Sequence, residues 1–154
     1  VWKMCMVEYS LRKANSGDFK LSYDIRKNAL GEYVKQTWGW DEAWQLKHHA
    51  EDFNPEILSI IEVNGKPAGS LEVYSEYDNM IVSGLYIIDA YQNLNIGTRI
   101  MSAILEEAKL KNANVKLQVL KVNFKAKTLY EKLGFKVYNE TEQHFQMIND
   151  LSVK

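Results

Sequence analysis

A single cysteine, Cys5, rules out an internal disulfide and a zinc site built on thiolates. A thiol so near a terminus reads as inert. Histidine is scarce too. His48, His49 and His144 show no metal-ligand spacing with other ligands, so no metal is expected. No Ser-His-Asp arrangement can be assembled from local motifs. No apolar run approaches the ~18 residues that read as a membrane-crossing helix. The first residues, Val1-Trp2-Lys3-Met4-Cys5-Met6, lack the apolar stretch of a secretory leader, and cytoplasmic residence is the expectation. Net charge is only −1, which gives no general field for nucleic acid or an anionic membrane. Repeats, low-complexity stretches and linkers are missing as well. What remains is 154 residues, 46% hydrophobic and 25% charged, enough for one packed domain.

The apolar pattern gives an element order. Val7 to Ala14 reads as a strand. Asp18 caps a helix through about Lys35, with Leu21, Ile25, Ala29 and Tyr33 on one face. Thr37-Trp38-Gly39-Trp40 interrupts it, Asp41 caps a second helix ending near Phe53, and Pro55 marks the exit. A strand over 57–63 follows. Asn64-Gly65 signals a type I′ hairpin, whose two central residues both need positive φ, and the chain returns from Pro67 to Tyr77. Asp78-Asn79 turns it again into Met80–Ile88. That run is apolar on both faces, which places it at the centre of a sheet. Gly84 inside it signals a bulge or a close backbone neighbour. A helix over 97–111, a strand over 115–122, a helix over 123–133 ended by Gly134, and strands over 135–138 and 144–148 complete the series. The fold class is α/β: one mixed sheet with helices on both faces.

Four constellations carry chemistry. In the first, a strand runs through Gln92-Asn93-Leu94-Asn95-Ile96-Gly97-Thr98 into a helix. The first N–H groups of a helix lack intrahelical partners and its dipole favours an anion there, so such a corner can hold a pyrophosphate. Gly97 removes a Cβ where backbone must approach a ligand. A plain strand-to-helix turn accounts for the loop equally well. The second is Asn123, Ala126 and Tyr130, which share one helix face, although a tyrosine beside Leu129 and Leu133 also fits a core position. The third is charge: six lysines and no acid between Ala108 and Tyr130, beside the proposed phosphate loop. A solvated lysine-rich face is the alternative. The fourth sets Trp38, Trp40 and Trp44 near Asp41, Glu42, Glu51 and Asp52. Aromatics with carboxylates suit a cationic amine, or the tryptophans cover a sheet edge.

Together these segments resemble the GNAT superfamily of acyl-CoA-dependent N-acyltransferases. Its phosphate motif is Gln/Arg-x-x-Gly-x-Gly/Ala. Gln92 and Gly97 fill its ends, and Asn95 stands at the middle glycine, where asparagine tolerates positive φ. The later pattern, Asn-x-x-Ala-x-x-Leu-Tyr followed by Gly-Phe, is met by Asn123, Ala126, Leu129, Tyr130, Gly134 and Phe135. The resemblance implies a single N-acetyltransferase domain over 7–154 behind a short extension, 1–6. Its sheet is mixed and mostly antiparallel, with a splayed V between the strands at 80–88 and 115–122. Acetyl-CoA would lie in the V as cosubstrate. Backbone groups near Ile87 and Ile88 would hold the pantetheine, N–H groups of Gln92, Asn93, Leu94, Asn95, Ile96, Gly97 and Thr98 the pyrophosphate, and Asn123 and Ala126 the arm. Tyr130 would stand near the sulfur and give its proton to the departing thiolate. Glu72 is the candidate base, with Glu76 in competition. Trp38, Trp40 and Trp44 are the candidate acceptor residues. The expected acceptor is a small-molecule or peptide amine, and a homodimer is the expected assembly. A non-catalytic acyl-CoA sensor of the same fold is the alternative.

Overall fold

The computed structural model describes residues 6–151; Cys5, most of the 1–6 extension and residues 152–154 lie outside it. The strands are β1 (Ser10–Lys13), β2 (Leu58–Val63), β3 (Lys66–Glu76), β4 (Asn79–Ile87), β5 (Asn114–Leu120), β6 (Lys136–Glu140) and β7 (His144–Asn149). The helices are α1 (Phe19–Trp38), α2 (Glu42–Asp52), α3 (Ile96–Leu110) and α4 (Phe124–Lys132). Two short 3₁₀ turns, Ser16–Asp18 and Asp89–Tyr91, lead into α1 and out of β4. The sheet order is β1-β2-β3-β4-β5-β7-β6, and every pair is antiparallel except β4–β5.

Local chemistry accounts for the main turns. Asn64 and Gly65 both take positive φ, 53° and 75°, as the hairpin between β2 and β3 requires. Asp41 caps α2 by accepting from the Trp44 N–H at 3.1 Å. β1 is shorter than its apolar pattern suggests. The Val7 carbonyl accepts from the Arg99 guanidinium, which also lies over the Tyr9 ring, so residues 7–9 are held by α3 rather than by a neighbouring strand.

Two cores flank the sheet. The larger packs Ile96, Ile100, Met101, Ile104 and Ala108 of α3, with Tyr130 of α4, against β2–β5 and β7. Each buried isoleucine or methionine there contributes roughly 1.5–3 kcal/mol. The smaller packs Ile25 of α1 with Leu58, Ile60, Tyr86 and Ile88 on the opposite face. α1 and α3 thus cover opposite faces of β4, as an all-apolar central strand demands.

Candidate active site

The parallel pair β4–β5 is in register only from Asn79↔Asn114 to Val82↔Leu117. Beyond Val82 the strands part. The cause lies on the other edge of β4, where Glu72 opposes Gly84 but Val73 opposes Val82, leaving Ser83 as an extra residue. That bulge shifts the hydrogen-bonding phase of the strand. The Ile88 N–H donates to the Ala68 carbonyl at 2.9 Å, which fixes Ile88, Tyr86 and Gly84 as residues bonded to β3. Leu85 and Ile87 then turn their main-chain groups toward β5, into the gap. The Ile87 carbonyl accepts from the Gln92 side-chain amide at 2.8 Å. Ile88 is spoken for on both sides, since its carbonyl also accepts from the Tyr91 N–H at 2.9 Å. Leu85 was not among the residues expected here. Counting phase through the Gly84 bulge is the signal that finds it.

At the far end of the gap lies the entry to α3. Asn93 and Asn95 adopt left-handed φ of 64° and 63°, so the middle position of the loop does require the conformation that glycine or asparagine supplies. The first helical bond runs from the Arg99 N–H to the Asn95 carbonyl at 3.0 Å. Among the described residues no side chain caps the N–H groups before it, at Ile96, Gly97 and Thr98. Gly97 has no unusual φ. A Cβ there would meet only Ile87 Cγ1, at 4.0 Å, so the missing side chain leaves open space on the cleft. Asn93, Asn95, Ile96, Gly97 and Thr98 all border the cleft, whereas Leu94 does not. Of the six expected lysines only Lys125 reaches this loop, donating to Asn93 Oδ1 at 3.1 Å and Gln92 Oε1 at 3.5 Å.

α4 closes one wall. The Asn123 side-chain carbonyl caps it, accepting from the Ala126 N–H at 3.2 Å, which leaves the carboxamide nitrogen for the cleft. Ala126 and Tyr130 border the cleft on the same face. The Tyr130 ring is 9% exposed and meets Phe135 edge-on at 5.8 Å. Burial, then the proximity of Tyr86, pushes its phenol up to about 12. Among the described residues nothing hydrogen-bonds its hydroxyl, yet the oxygen is not sealed from solvent.

The opposite wall belongs to α1, α2 and β3. Glu72 accepts from Ser83 Oγ at 2.6 Å, so the extra residue of the bulge holds the candidate base. Glu76 also borders the cleft and is the more exposed of the two. Arg26 donates to Gln45 Oε1 at 3.0 Å, and Ser22 Oγ lies 2.7 Å from His49 Nε2; neither contact was expected. Trp38 and Trp44 border the cleft and are 56% and 52% exposed. Trp38 lies 5.9 Å from His144, while Trp44 stacks on His48 at 3.7 Å. Trp40 is not on the cleft. Its indole donates to Glu42 at 2.6 Å and its ring lies under the Lys27 ammonium, a clasp between α1 and α2. Among the described residues no cluster of histidine, cysteine and carboxylate is arranged to hold a metal. The whole cleft encloses about 1740 Å³, beyond the ~300–1,000 Å³ of an ordinary small-ligand pocket.

The histidines make the fold acid-sensitive. Burial, reinforced by the Arg26 charge, holds His49 below its ordinary value, and burial does the same to His144. A histidine whose native pKa is depressed refuses a proton that the unfolded chain accepts. Its stability is therefore present above ~6.5 and lost as pH falls further. The melting midpoint should drop between pH 7 and pH 5, and His49→Gln should flatten that drop with His144 supplying the remainder. An acid slope identical in His49→Gln and wild type would remove His49 from this account.

The Acetyltransferase (GNAT) family model matches residues 22–135. No curated protein matches the chain. Among solved structures, the PaiA N-acetyltransferase of Thermoplasma acidophilum, in complex with coenzyme A, superposes with a TM-score of 0.75 at 16% identity, over 93% of this chain and 99% of that one. The ribosomal-protein-S18-alanine N-acetyltransferase of Escherichia coli gives 0.70 at 19% identity, over 96% of each chain. Arabidopsis thaliana Naa50, in complex with the bisubstrate analogue CoA-Ac-MVNAL, gives 0.64 at 15% identity, over 92% of this chain and 99% of that one.

Proposed function

The chain belongs to the GNAT acetyltransferase family, and from that premise we propose that it moves an acetyl group from acetyl-CoA to a primary amine by direct attack. The observation that carries the reading is the start of α3. Uncapped N–H groups there adjoin a glycine whose absent Cβ leaves a cradle on the cleft, a fit for a pyrophosphate. When bound, acetyl-CoA supplies a thioester carbonyl for an amine to attack and a thiolate to leave.

This chain's residues would then do the rest. N–H groups of residues 92–98, above all Ile96, Gly97 and Thr98, hold the diphosphate, and Lys125 adds charge beside them. The Asn123 carboxamide and the Ala126 face guide the arm. The Leu85 and Ile87 main-chain groups line the V, and a well-placed N–H donor aimed at the carbonyl oxygen is worth about 3 kcal/mol. A phenol held at about 12 does not surrender its proton to an alkyl thiolate, whose thiol titrates near ~8.5. Tyr130 instead donates a hydrogen bond to the sulfur as charge develops on it. A lysine-like amine is neutral in only about one molecule per thousand near pH 7.4, so a proton acceptor is needed. Glu72, oriented by Ser83, takes that role, directly or through water, and Trp38 and Trp44 flank the acceptor's approach. The acceptor is a small-molecule or peptide amine. The same reading takes the domain as 7–154, its location as the cytoplasm and its assembly as a homodimer.

Gly97→Leu tests the cradle. Leucine suits a helix better than glycine, so the melting midpoint should hold. Its side chain, unlike the alanine that the motif accepts, fills the cradle, so calorimetry should show coenzyme A binding at least about tenfold weaker. Undiminished binding would sink the phosphate assignment. Free-thiol release from acetyl-CoA across an amine panel tests turnover. Tight coenzyme A binding with no release on any amine would leave the acyl-CoA sensor as the reading.

A further inference from the structure

Arg26 is half-buried, and among the described residues no carboxylate forms an ion pair with it. It lies on α1 at the acceptor side of the cleft. Its Nη1 donates to Gln45 Oε1 at 3.0 Å, and Gln45 is itself 5% exposed, so this contact fixes the guanidinium rather than merely touching it. Its charge also reaches the Tyr86 phenol. Gln45 and Tyr86 are both neutral. Among the described residues no carboxylate pairs with Arg26, whereas Arg12 has two, Asp18 at 2.9 Å and Glu62 at 3.2 Å. A guanidinium drawn partly out of water needs an anion, and its free donors, a planar fork suited to a carboxylate, border the cleft.

The cleft's other pole is acidic. Glu72 pairs with Gly84 and Ser70 with Tyr86, so Glu72, Ser70 and Tyr86 share the sheet face that α1 covers. Arg26 and Glu72 both act electrostatically on Tyr86, from opposite sign. One wall therefore offers both a positive fork and a carboxylate to the cleft. Building on the acyl-transfer reading, we propose that the acceptor is an amine that also carries a carboxylate a few bonds from its nitrogen. The carboxylate sits on Arg26 and the amine turns toward Glu72 and the V. A diamine or polyamine would bring a second ammonium against Arg26 and is disfavoured. The carboxylate has two natural sources, a free amino acid or an acidic residue next to a peptide's N-terminus.

Matched acceptors test this. Free amino acids are compared with their decarboxylated amines, and Met-Asp peptides with Met-Asn peptides, in wild type, Arg26→Gln and Arg26→Lys. The carboxylate member of at least one pair should be preferred by wild type, and which pair it is names the source. Arg26→Gln should raise KM for that member roughly ten- to hundredfold, leave its partner unchanged and leave coenzyme A binding intact. Arg26→Lys should recover part of the preference, which a merely structural arginine would not show. N-acetylated products, titrated onto the coenzyme A complex, read the same contrast without turnover. Equal use of both members, a preference that survives Arg26→Gln, or no binding of either acid overturns the proposal. Failure of wild type to bind coenzyme A would instead take down the acyl-transfer reading beneath it.

Discussion

Phenylalanine in place of Tyr130 lowers kcat by about 10²–10³-fold while coenzyme A affinity and melting midpoint stay where they are. The effect rests on an unmade hydrogen bond. The Tyr130 hydroxyl has no partner among the described residues, so deleting it leaves no orphaned group behind, and stability should change by less than ~0.5 kcal/mol. A core tyrosine serving only packing would show the same stability and unchanged kcat. The pH dependence separates the roles further. With its phenol pushed up to about 12, Tyr130 keeps its proton throughout the neutral range, so no alkaline limb of kcat below ~11 belongs to it. A raised native pKa contributes stability that is complete below ~10 and lost as pH climbs through the native value. Wild type should therefore lose stability in strong alkali more steeply than Tyr130→Phe. Wild-type turnover by Tyr130→Phe would return Tyr130 to the core.

Local rules made most of the architecture readable. Asn64-Gly65 needed no tertiary knowledge to be a hairpin, because two successive positive φ angles are a backbone demand that few residues meet. Gly84 announced the bulge, and the all-apolar run around it announced a central strand. What sequence order hid was mostly contact across long separations. Trp40 sits among Trp38 and Trp44 in the sequence, yet Glu42 and Lys27 draw its ring to the clasp between α1 and α2. Arg26 and Gln45 belong to different helices, and no local pattern joins them. The lysine-rich segment misled in an instructive way. Its acid-free window stopped just short of Glu107 and Glu131, and helical spacing brings those carboxylates onto Lys111 and Lys127 at 3.1 and 3.2 Å. Lys121 finds Glu140 at 3.4 Å from another strand. Charge segregation along a chain is not charge segregation on a surface.

Gly69→Ala should cost at least ~3 kcal/mol and lower the melting midpoint by roughly 6–12 °C. A Cβ at that position would lie 2.1 Å from the Tyr86 carbonyl oxygen and 3.2 Å from Ile87 Cα. Both are main-chain atoms, so no side chain can swing aside, and relief requires β3 and β4 to separate. Separation there strikes the edge of the V. Tyr86 is bonded to β3 and Ile87 presents its main-chain groups to the gap, so a shift of about an ångström misaims the donors that line the cleft. Displacements of that size cost about a hundredfold in rate. kcat/KM should fall even when measured well below the lowered melting midpoint. The contrast with Gly97→Leu is what makes the pair diagnostic. One glycine lacks a side chain because the protein's own backbone occupies the space; the other lacks one where the protein leaves space open. Alanine at 69 should lose stability and rate together, and leucine at 97 should keep stability and lose coenzyme A. If both variants melted like wild type, the close approach of β3 to β4 would carry no energetic weight. If both lost stability, the opening at Gly97 would belong to the fold rather than to a ligand.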